Sequence, residues 1–161
     1  MTSAHEARLR VAELLARGLF GDPALRSAAD VLEPIEVRDP DGVLNSWFCP
    51  VTIGDRLAGF AQLLPDLTLM RYSSFERRPG DTTGLPDAAS WIDPDAIRSR
   101  AAAAARPDEE LGDPVLSYDT DPARIAWRVP AIDARGRSRT LFVAGDYVYE
   151  ARRPDVEEIG G

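Results

Sequence analysis

Two stretches of the chain share an aromatic residue followed three positions later by a proline inside an apolar run. The stretches NSWFCPVTI and IAWRVPAID align at an offset of 80 residues, which places Trp47 on Trp127 and Pro50 on Pro130. The same offset also aligns Pro34 with Pro114, Asp39 with Asp119, Asp41 with Asp121 and Asp66 with Asp146, without a gap. Self-similarity at a fixed period indicates a duplicated structural unit. We therefore predict two tandem repeats.

Each predicted repeat begins with a helix and continues into a series of strands. Ser3 and Glu6 form a capping box before a run with helical spacing, and Asp93-Pro94 is an N-cap and first-turn pairing. Strand-like alternation follows each helix, broken by turn signals such as residues 39–42 (DPDG). Laying each helix across its sheet buries the apolar stripe of the helix and one apolar face of the sheet. The prediction is an α+β fold of two tandem repeats, each a helix packed on an antiparallel β-meander.

The repeats define expected boundaries along the chain. Residues 1–72 form the first helix-plus-meander unit and residues 93–151 the second. The polar segment 73–92, rich in glycine and proline, is expected to be a linker or surface loop, and residues 152–161 a loose tail. Within the first unit, a short helix is also expected from Asp22 to about residue 29.

The tryptophan face of each central strand is predicted to be the core. A two-residue turn at Gly54-Asp55 would place Val51 opposite Ala58 and Cys49 opposite Phe60 on that face. The opposite face of the first sheet is too apolar for open solvent, since it would carry Phe48, Leu57, Ala61 and Leu63. We expect this second face to pack on the other repeat, on a partner subunit or on a ligand.

Composition excludes several partners and suggests a source. The net charge of −8, from 19 basic and 27 acidic residues, argues against binding nucleic acid or an anionic membrane surface. Every basic residue is arginine, alongside many alanines, which is typical of a high-GC bacterium. The single cysteine excludes a disulfide within the chain, and no apolar run is long enough for a signal or a membrane span. We expect a soluble cytoplasmic protein.

The pattern of the repeats resembles a known family. The order of features in the first repeat is similar to that of PepSY-like units. These features are a helix, then Pro-Ile, an Asp-containing turn, Trp-x-x-Pro in the middle strand and residues 55–60 (DRLAGF). Such units occur in bacterial protease propeptides and in streptopain-type propeptides and inhibitors, and their next strand carries a glycine with an apolar partner, as Gly59-Phe60 does here. The resemblance covers residues 32–72 and 111–150. What it implies is binding of a protein partner, as in protease inhibition.

Few residues have the chemistry of a catalytic or metal site. Cys49 needs a base to form a thiolate, and the only histidine, His5, belongs to the N-terminal helix, so we expect Cys49 to be a core residue. The acid pairs that begin at Asp39 and Asp119 suit turn formation, and neither continues into a calcium-loop pattern. We predict no metal and no cofactor, and no catalytic residue is identified.

The first functional hypothesis is a non-catalytic protein- or peptide-binding or regulatory protein that uses the second face of its sheet. The residues expected to bind are Phe48, Trp91 and Arg128. Trp91 precedes a helix cap, so it is either a staple against that helix or an aromatic residue at a cleft between the halves.

Two alternatives come from other classes. One is a small enzyme or ligand-binding protein with a pocket between the repeats, in which carboxylates such as Asp66 or Asp146 work beside arginines. The other is a structural homodimer. A deep pocket lined by tryptophan and arginine favours the pocket hypothesis, whereas a flat apolar patch favours the binding-module hypothesis.

Overall fold

The computed structural model describes residues 2–18, 29–78 and 80–150. The first half contains α1 (Ala4–Ala16), β1 (Ala29–Val31), β2 (Ile35–Arg38), β3 (Leu44–Ile53), β4 (Arg56–Leu63) and β5 (Leu69–Ser74). The second half contains α2 (Ala88–Ile92), α3 (Pro94–Ala104), β6 (Glu110–Leu111), β7 (Val115–Tyr118), β8 (Ile125–Ile132), β9 (Ser138–Ala144) and β10 (Tyr147–Glu150). The short helix expected from Asp22 and the tail expected at 152–161 lie outside the described residues.

The strands form two antiparallel sheets of five strands each. The order is β1-β3-β4-β5 in the first sheet, with β2 also paired to β3, and β10-β9-β8-β6 in the second, with β7 also paired to β8. The two sheets therefore have the same topology, and β2 and β7 span equivalent positions at the offset of 80. The predicted α+β fold of two tandem repeats is confirmed.

The helices begin where the capping residues predict. Ser3 and Glu6 make both bonds of a capping box, with the Glu6 amide donating to Ser3 Oγ at 3.2 Å and the Ser3 amide to Glu6 Oε2 at 2.7 Å. The Asp93 carboxylate accepts from the Asp95 amide at 3.0 Å, and Pro94 occupies the first turn of α3. Among the described helices, none is long and apolar enough to cross a membrane.

The repeated proline explains why each central strand has two short neighbours on one side. Proline has no amide hydrogen to donate, so a neighbouring strand cannot continue its ladder past it. β1 ends opposite Val51, the Leu32 amide donates to the Pro50 carbonyl at 3.0 Å, and β2 begins opposite Phe48. The second repeat has the same arrangement, with the Gly112 amide donating to the Pro130 carbonyl at 2.8 Å.

The predicted register of the first hairpin is wrong by one residue. Ile53 pairs with Arg56 as the two-residue turn requires, but Val51 lies opposite Gly59 and Cys49 opposite Ala61. A β-bulge next to Val51 makes Ala58 the extra residue, and it shifts every later pair. Ala61 and Leu63 consequently join the tryptophan face, while Phe60 turns to the other face with Phe48.

Two hydrophobic cores hold the chain together, and the tryptophan face belongs to the core in both repeats. The first core packs α1 on the first sheet; its buried residues are Ala7, Val11, Leu14, Leu15, Val31, Trp47, Cys49, Val51, Ala58, Ala61, Leu63 and Leu85. The second core packs α3 on the second sheet and includes the opposite face of the first; its buried residues are Val37, Phe48, Phe60, Ile97, Ala101, Leu116, Trp127, Val129, Ala131, Leu141 and Val143. The second face of the first sheet therefore packs on the other repeat.

The two sheets differ in how many of their faces are covered. β3 and β4 are buried along most of their length, because α1 covers one face and the second repeat the other. In β8, Val129 and Ala131 are buried whereas Pro130 and Ile132 are exposed, because α3 covers one face only. The sheets adjoin at β2 and β7, where Ser117 Oγ donates to the Arg38 carbonyl at 2.6 Å. Among the described residues, no ladder joins these two strands.

The segment 73–92, expected to be a linker or surface loop, contains the end of β5 and the whole of α2. It also packs along the first repeat, since the Leu57 amide donates to the Pro86 carbonyl at 2.8 Å and the Ala88 amide to the Asp55 carbonyl at 3.0 Å. Leu85 is buried in the first core. Backbone pairing to the β3–β4 turn, which composition does not reveal, holds this polar stretch against the sheet.

A bidentate ion pair ties the loop after α3 to β9. Arg139 donates from Nε and Nη2 to the two carboxylate oxygens of Glu109 at 2.8 and 2.7 Å, and the Glu109 side chain is only 2% exposed. The Arg106 amide also donates to this carboxylate, at 2.7 Å. The hydrogen bonds from Arg139, followed by that from Arg106, lower the pKa of Glu109 from 4.5 to about 2.

Replacing Glu109 by glutamine should lower the free energy of unfolding at pH 7. Because the folded state depresses the pKa of Glu109 to about 2, the pair stabilises the fold above the ordinary pKa of 4.5. That contribution is lost as the pH falls from about 4.5 to about 2. Urea denaturation from pH 7 to pH 3 should show the difference between wild type and Glu109→Gln shrinking with falling pH. The exposed neighbour Glu110, changed to glutamine, is the control; a difference for Glu109→Gln that stays constant with pH contradicts the prediction.

Candidate functional site

An aromatic cleft, which we call the inter-repeat cleft, lies between the two halves of the chain and has a volume of about 470 Å³. The first repeat and α2 contribute Phe48, Phe60, Arg71, Ser73, Phe75 and Trp91. The second repeat contributes Ala123, Arg124, Ile125, Ala144, Tyr147 and Tyr149. A concave, mainly apolar site with a few polar groups is typical of ligand and peptide pockets.

A row of aromatic rings forms the wall of the cleft on the side of the first repeat. The ring centroids of Phe48 and Phe60 are 4.6 Å apart, those of Phe60 and Phe75 are 6.2 Å apart, and Phe75 meets Trp91 edge-on at 5.0 Å. β3 and β4 provide Phe48 and Phe60, Phe75 directly follows β5, and α2 provides Trp91. The rings come together because the bulge in β4 turns Phe60 toward Phe48.

Arg71 of β5 is the cation within this wall. Its guanidinium carbon lies 5.0 Å from the centroid of the Phe60 ring, its Nε donates to Gln62 Oε1 at 2.9 Å, and its Nη1 donates to Ser73 Oγ at 3.2 Å. Burial lowers the pKa of Arg71, and the charge of Asp121 opposes that shift. Neutral hydrogen-bond partners therefore hold the Arg71 guanidinium close to an aromatic ring.

Gln62 connects the floor of the cleft to the second repeat. Its side chain is fully buried, and its Nε2 donates to Ser46 Oγ at 2.8 Å and to the Pro122 carbonyl at 3.3 Å. Together with the bond from Arg71, these contacts satisfy the amide inside the protein. The network fixes the position of Arg71 relative to both repeats.

Two tyrosines of β10 stand at the mouth of the cleft. Tyr147 is 78% exposed, which is unusual for a large aromatic side chain. Tyr149 packs on Phe142 with a centroid distance of 5.4 Å, and its hydroxyl donates to Asp119 Oδ2 at 3.1 Å. Burial is the largest cause of a raised Tyr149 pKa, so its hydroxyl is a donor at neutral pH. The mouth thus presents aromatic surface with a polar rim.

The structure brings together two of the three residues predicted to bind. Phe48 and Trp91 both line the inter-repeat cleft, although Phe48 is only 2% exposed and belongs to the core beneath it. Arg128 lies on the uncovered face of the second sheet, beside a separate groove of about 320 Å³. No sequence signal identified five other lining residues, namely Arg71, Arg124, Phe75, Tyr147 and Tyr149. Strand alternation puts Arg71 on the same face as Phe60, but it identifies Arg71 as a lining residue only when the register is known.

Trp91 faces the cleft, and its neighbour takes the staple position. Ile92 directly precedes the N-cap Asp93 of α3 and packs on the core that contains Ile97. The Trp91 carbonyl accepts from Trp127 Nε1 at 2.8 Å, which anchors α2 on the second repeat. A side chain at Gly145 would come within 2.7 Å of the Trp91 ring, so that ring packs against the β9–β10 turn.

The other candidate groups lie outside the cleft. Cys49 is fully buried, and burial raises its pKa to about 12, so it is a thiol at neutral pH. His5 is exposed on α1. The Asp66 carboxylate accepts from the Thr68 amide at 2.9 Å, a bond that lowers its pKa, which is the wrong direction for a general base. Asp146 is exposed in the β9–β10 turn.

The aspartate pairs close turns, as the sequence analysis predicts. The Asp39 side chain accepts from the amides of Asp41 and Val43 at 2.9 Å each, and that of Asp121 accepts from the Ala123 amide at 2.9 Å. Within the described part of the chain, no three or more His, Cys, Asp or Glu side chains are grouped so as to hold a metal ion.

No family model, no curated protein and no solved structure matches this chain. Its function is therefore inferred from the geometry and chemistry of the inter-repeat cleft.

Proposed function

We propose that this is a non-catalytic binding protein that takes a segment of a protein or peptide partner into the inter-repeat cleft. The observation that carries the proposal is the row of aromatic rings that ends at an exposed mouth, where Tyr147 is open to solvent. Aromatic side chains supply large contact area with few rotatable bonds, and they are enriched where proteins bind partners.

The chemistry of the lining supports binding over catalysis. Among the described residues that line the cleft, none is Asp, Glu, His or Cys, the usual general acids, bases and nucleophiles. A pocket between the repeats is what the enzyme hypothesis expected, but Asp66 and Asp146 do not line it. The cleft provides apolar surface and two arginines, which suit recognition.

The edge of the second sheet supports a peptide as the partner. β10 pairs with β9 alone among the described strands, so its other edge is free there. In an antiparallel register with a two-residue turn, Val148 directs its amide and carbonyl away from β9. An extended peptide can add to such an edge while its side chains enter a neighbouring pocket. Tyr147 and Tyr149 place this edge beside the cleft.

Selection from a displayed library of random peptides that includes free C-termini as well as internal sequences should enrich sequences on the wild-type protein. A Tyr147→Ser, Arg124→Glu variant should lose this enrichment, because it removes aromatic surface at the mouth and reverses a charge in the lining. Both residues are exposed, so the fold should be kept, as circular dichroism will check.

The matched control is Val115→Ser, which removes an exposed apolar side chain from the uncovered face of the second sheet. It should enrich the same peptides as wild type. Enrichment that survives the cleft variant but fails with Val115→Ser moves the site to that face, and an empty selection contradicts peptide binding. Size-exclusion chromatography of both variants tests the homodimer alternative. Capture of a protease partner would agree with the resemblance to PepSY-like units.

A further inference from the structure

The Arg71 guanidinium has hydrogen-bonding capacity that its neighbours in the protein do not use. Its two hydrogen-bond acceptors, Gln62 and Ser73, are both neutral, and within the described residues Nη2 has no partner. None of the ion pairs among those residues involves Arg71. The charge of Asp121 acts on Arg71 without forming an ion pair with it, so it offsets the cost of burying the guanidinium only in part. A carboxylate that binds the guanidinium directly relieves that cost further.

The position of Arg71 restricts what the anion can be attached to. Its guanidinium carbon is 5.0 Å from the centre of the Phe60 ring, so the cation and the aromatic wall adjoin. A ligand that uses both must carry its carboxylate and its apolar group close together. In an extended peptide an acidic side chain shares its face only with residues two positions away, which lie about 7 Å along the strand. The last residue of a chain carries both groups on one Cα.

A second positive charge lies in the same lining. Arg124, in the loop before β8, makes no ion pair within the described residues and is exposed. Nearby carboxylates lie outside the described lining: Asp119 accepts from the Tyr149 hydroxyl, and the charge of Asp121 acts on Arg71. Within the lining itself, two arginines without a carboxylate form a local site for an anion in a chain of net charge −8.

We infer that the inter-repeat cleft recognises the C-terminus of a peptide that ends in a large apolar or aromatic residue, with Arg71 binding the terminal carboxylate. The last side chain packs on the ring row formed by Phe60, Phe75 and Trp91. The inference rests on the proposed function and names its ligand class.

The probe is N-acetyl-phenylalanine, compared with N-acetyl-phenylalanine amide, which has the same ring but no charge. Chemical-shift titration of the Trp91 indole N–H reports on the cleft wall. The acid should bind with a dissociation constant on the order of 1 mM, as expected for a ligand of this size, and the amide at least about tenfold more weakly. Arg71→Met, which keeps the apolar stem, should lower the affinity for the acid to that for the amide. Arg56→Met, at an exposed arginine outside the cleft, should change neither ligand.

A second measurement keeps the test independent of the folding of Arg71→Met. In wild type, raising the salt concentration from 0.05 to 0.5 M should lower the affinity for the acid and leave the affinity for the amide unchanged, because salt screens charge pairs. Equal affinity of acid and amide overturns the carboxylate inference while leaving the proposed function in place. Tighter binding of N-acetyl-Asp-Phe amide than of the acid overturns the assignment to a C-terminus. Failure of both ligands together with an empty peptide selection overturns both proposals.

Discussion

Replacing Phe48 by alanine should destabilise the chain by about 4 kcal/mol. Phe48 is 2% exposed, contacts Phe60 at a centroid distance of 4.6 Å, and belongs to the core that joins the first sheet to α3 and the second sheet. Truncating its ring removes buried apolar area and leaves a cavity that two packed sheets cannot readily close. Urea denaturation followed by tryptophan fluorescence and by circular dichroism measures the loss.

The same experiment tests whether the two repeats fold as one unit. Because the core around Phe48 is shared, the fluorescence and circular dichroism transitions should coincide in the variant as in wild type. Leu9→Ala is the control, since Leu9 is 57% exposed on α1 and should cost no more than about 0.5 kcal/mol. A loss below about 1 kcal/mol for Phe48→Ala contradicts a packed interface between the repeats. The size of the effect also makes Phe48 unsuitable as a test of binding.

Replacing Gly59 by alanine should cost about 3 kcal/mol, although the change adds a single methyl group. A Cβ at Gly59 would lie 2.4 Å from the Ser73 carbonyl oxygen and 2.5 Å from the Tyr72 hydroxyl. The first of these atoms is backbone of β5, which can move only if the β4–β5 pairing opens. Thermal and urea denaturation should both show the loss, and ligand binding should weaken because β5 carries Arg71.

Gly54→Ala is the matched control. Gly54 has a φ of +61°, and an added Cβ there meets nothing within 4 Å. The expected cost is the backbone strain of about 1 kcal/mol for an L-residue in the left-handed region. Equal losses in the two variants would mean that β5 moves aside readily and that close strand approach is not the reason for glycine at position 59.

The cleft gives these stability effects a functional meaning. The wall of the cleft is continuous with the core that the two repeats share, since Phe60 contacts both the buried Phe48 and Phe75. Arg71 is placed through Gln62, which bonds to both repeats. A change that separates the repeats therefore alters the binding surface, whereas changes at Tyr147 or Arg124 act on the surface alone. This difference allows folding and binding to be measured separately.

The parts of the fold that depend on local chemistry followed from the sequence alone. The capping box at Ser3, the N-cap at Asp93 and the turn at residues 39–42 are set by contacts within a few residues, so their sequence signals are sufficient. The duplication was detectable because the same proline interrupts the same ladder in each repeat. Alternation about the tryptophans identified the core face because the period of a strand is two.

Only the tertiary structure decided the register of the first hairpin and, with it, the cleft. The two-residue turn favours a regular pairing, but the bulge at Ala58 brings Ala61 and Leu63 under α1 and turns Phe60 toward the second repeat. The gain from burying apolar residues on both faces outweighs one irregular pair, and that balance involves residues far apart in the chain. Arg71 and Phe75 come together around Phe60 beside the first sheet once this register is set. Trp91 and Tyr147 join them only when the two repeats pack, so no sequence pattern marked these residues as one site.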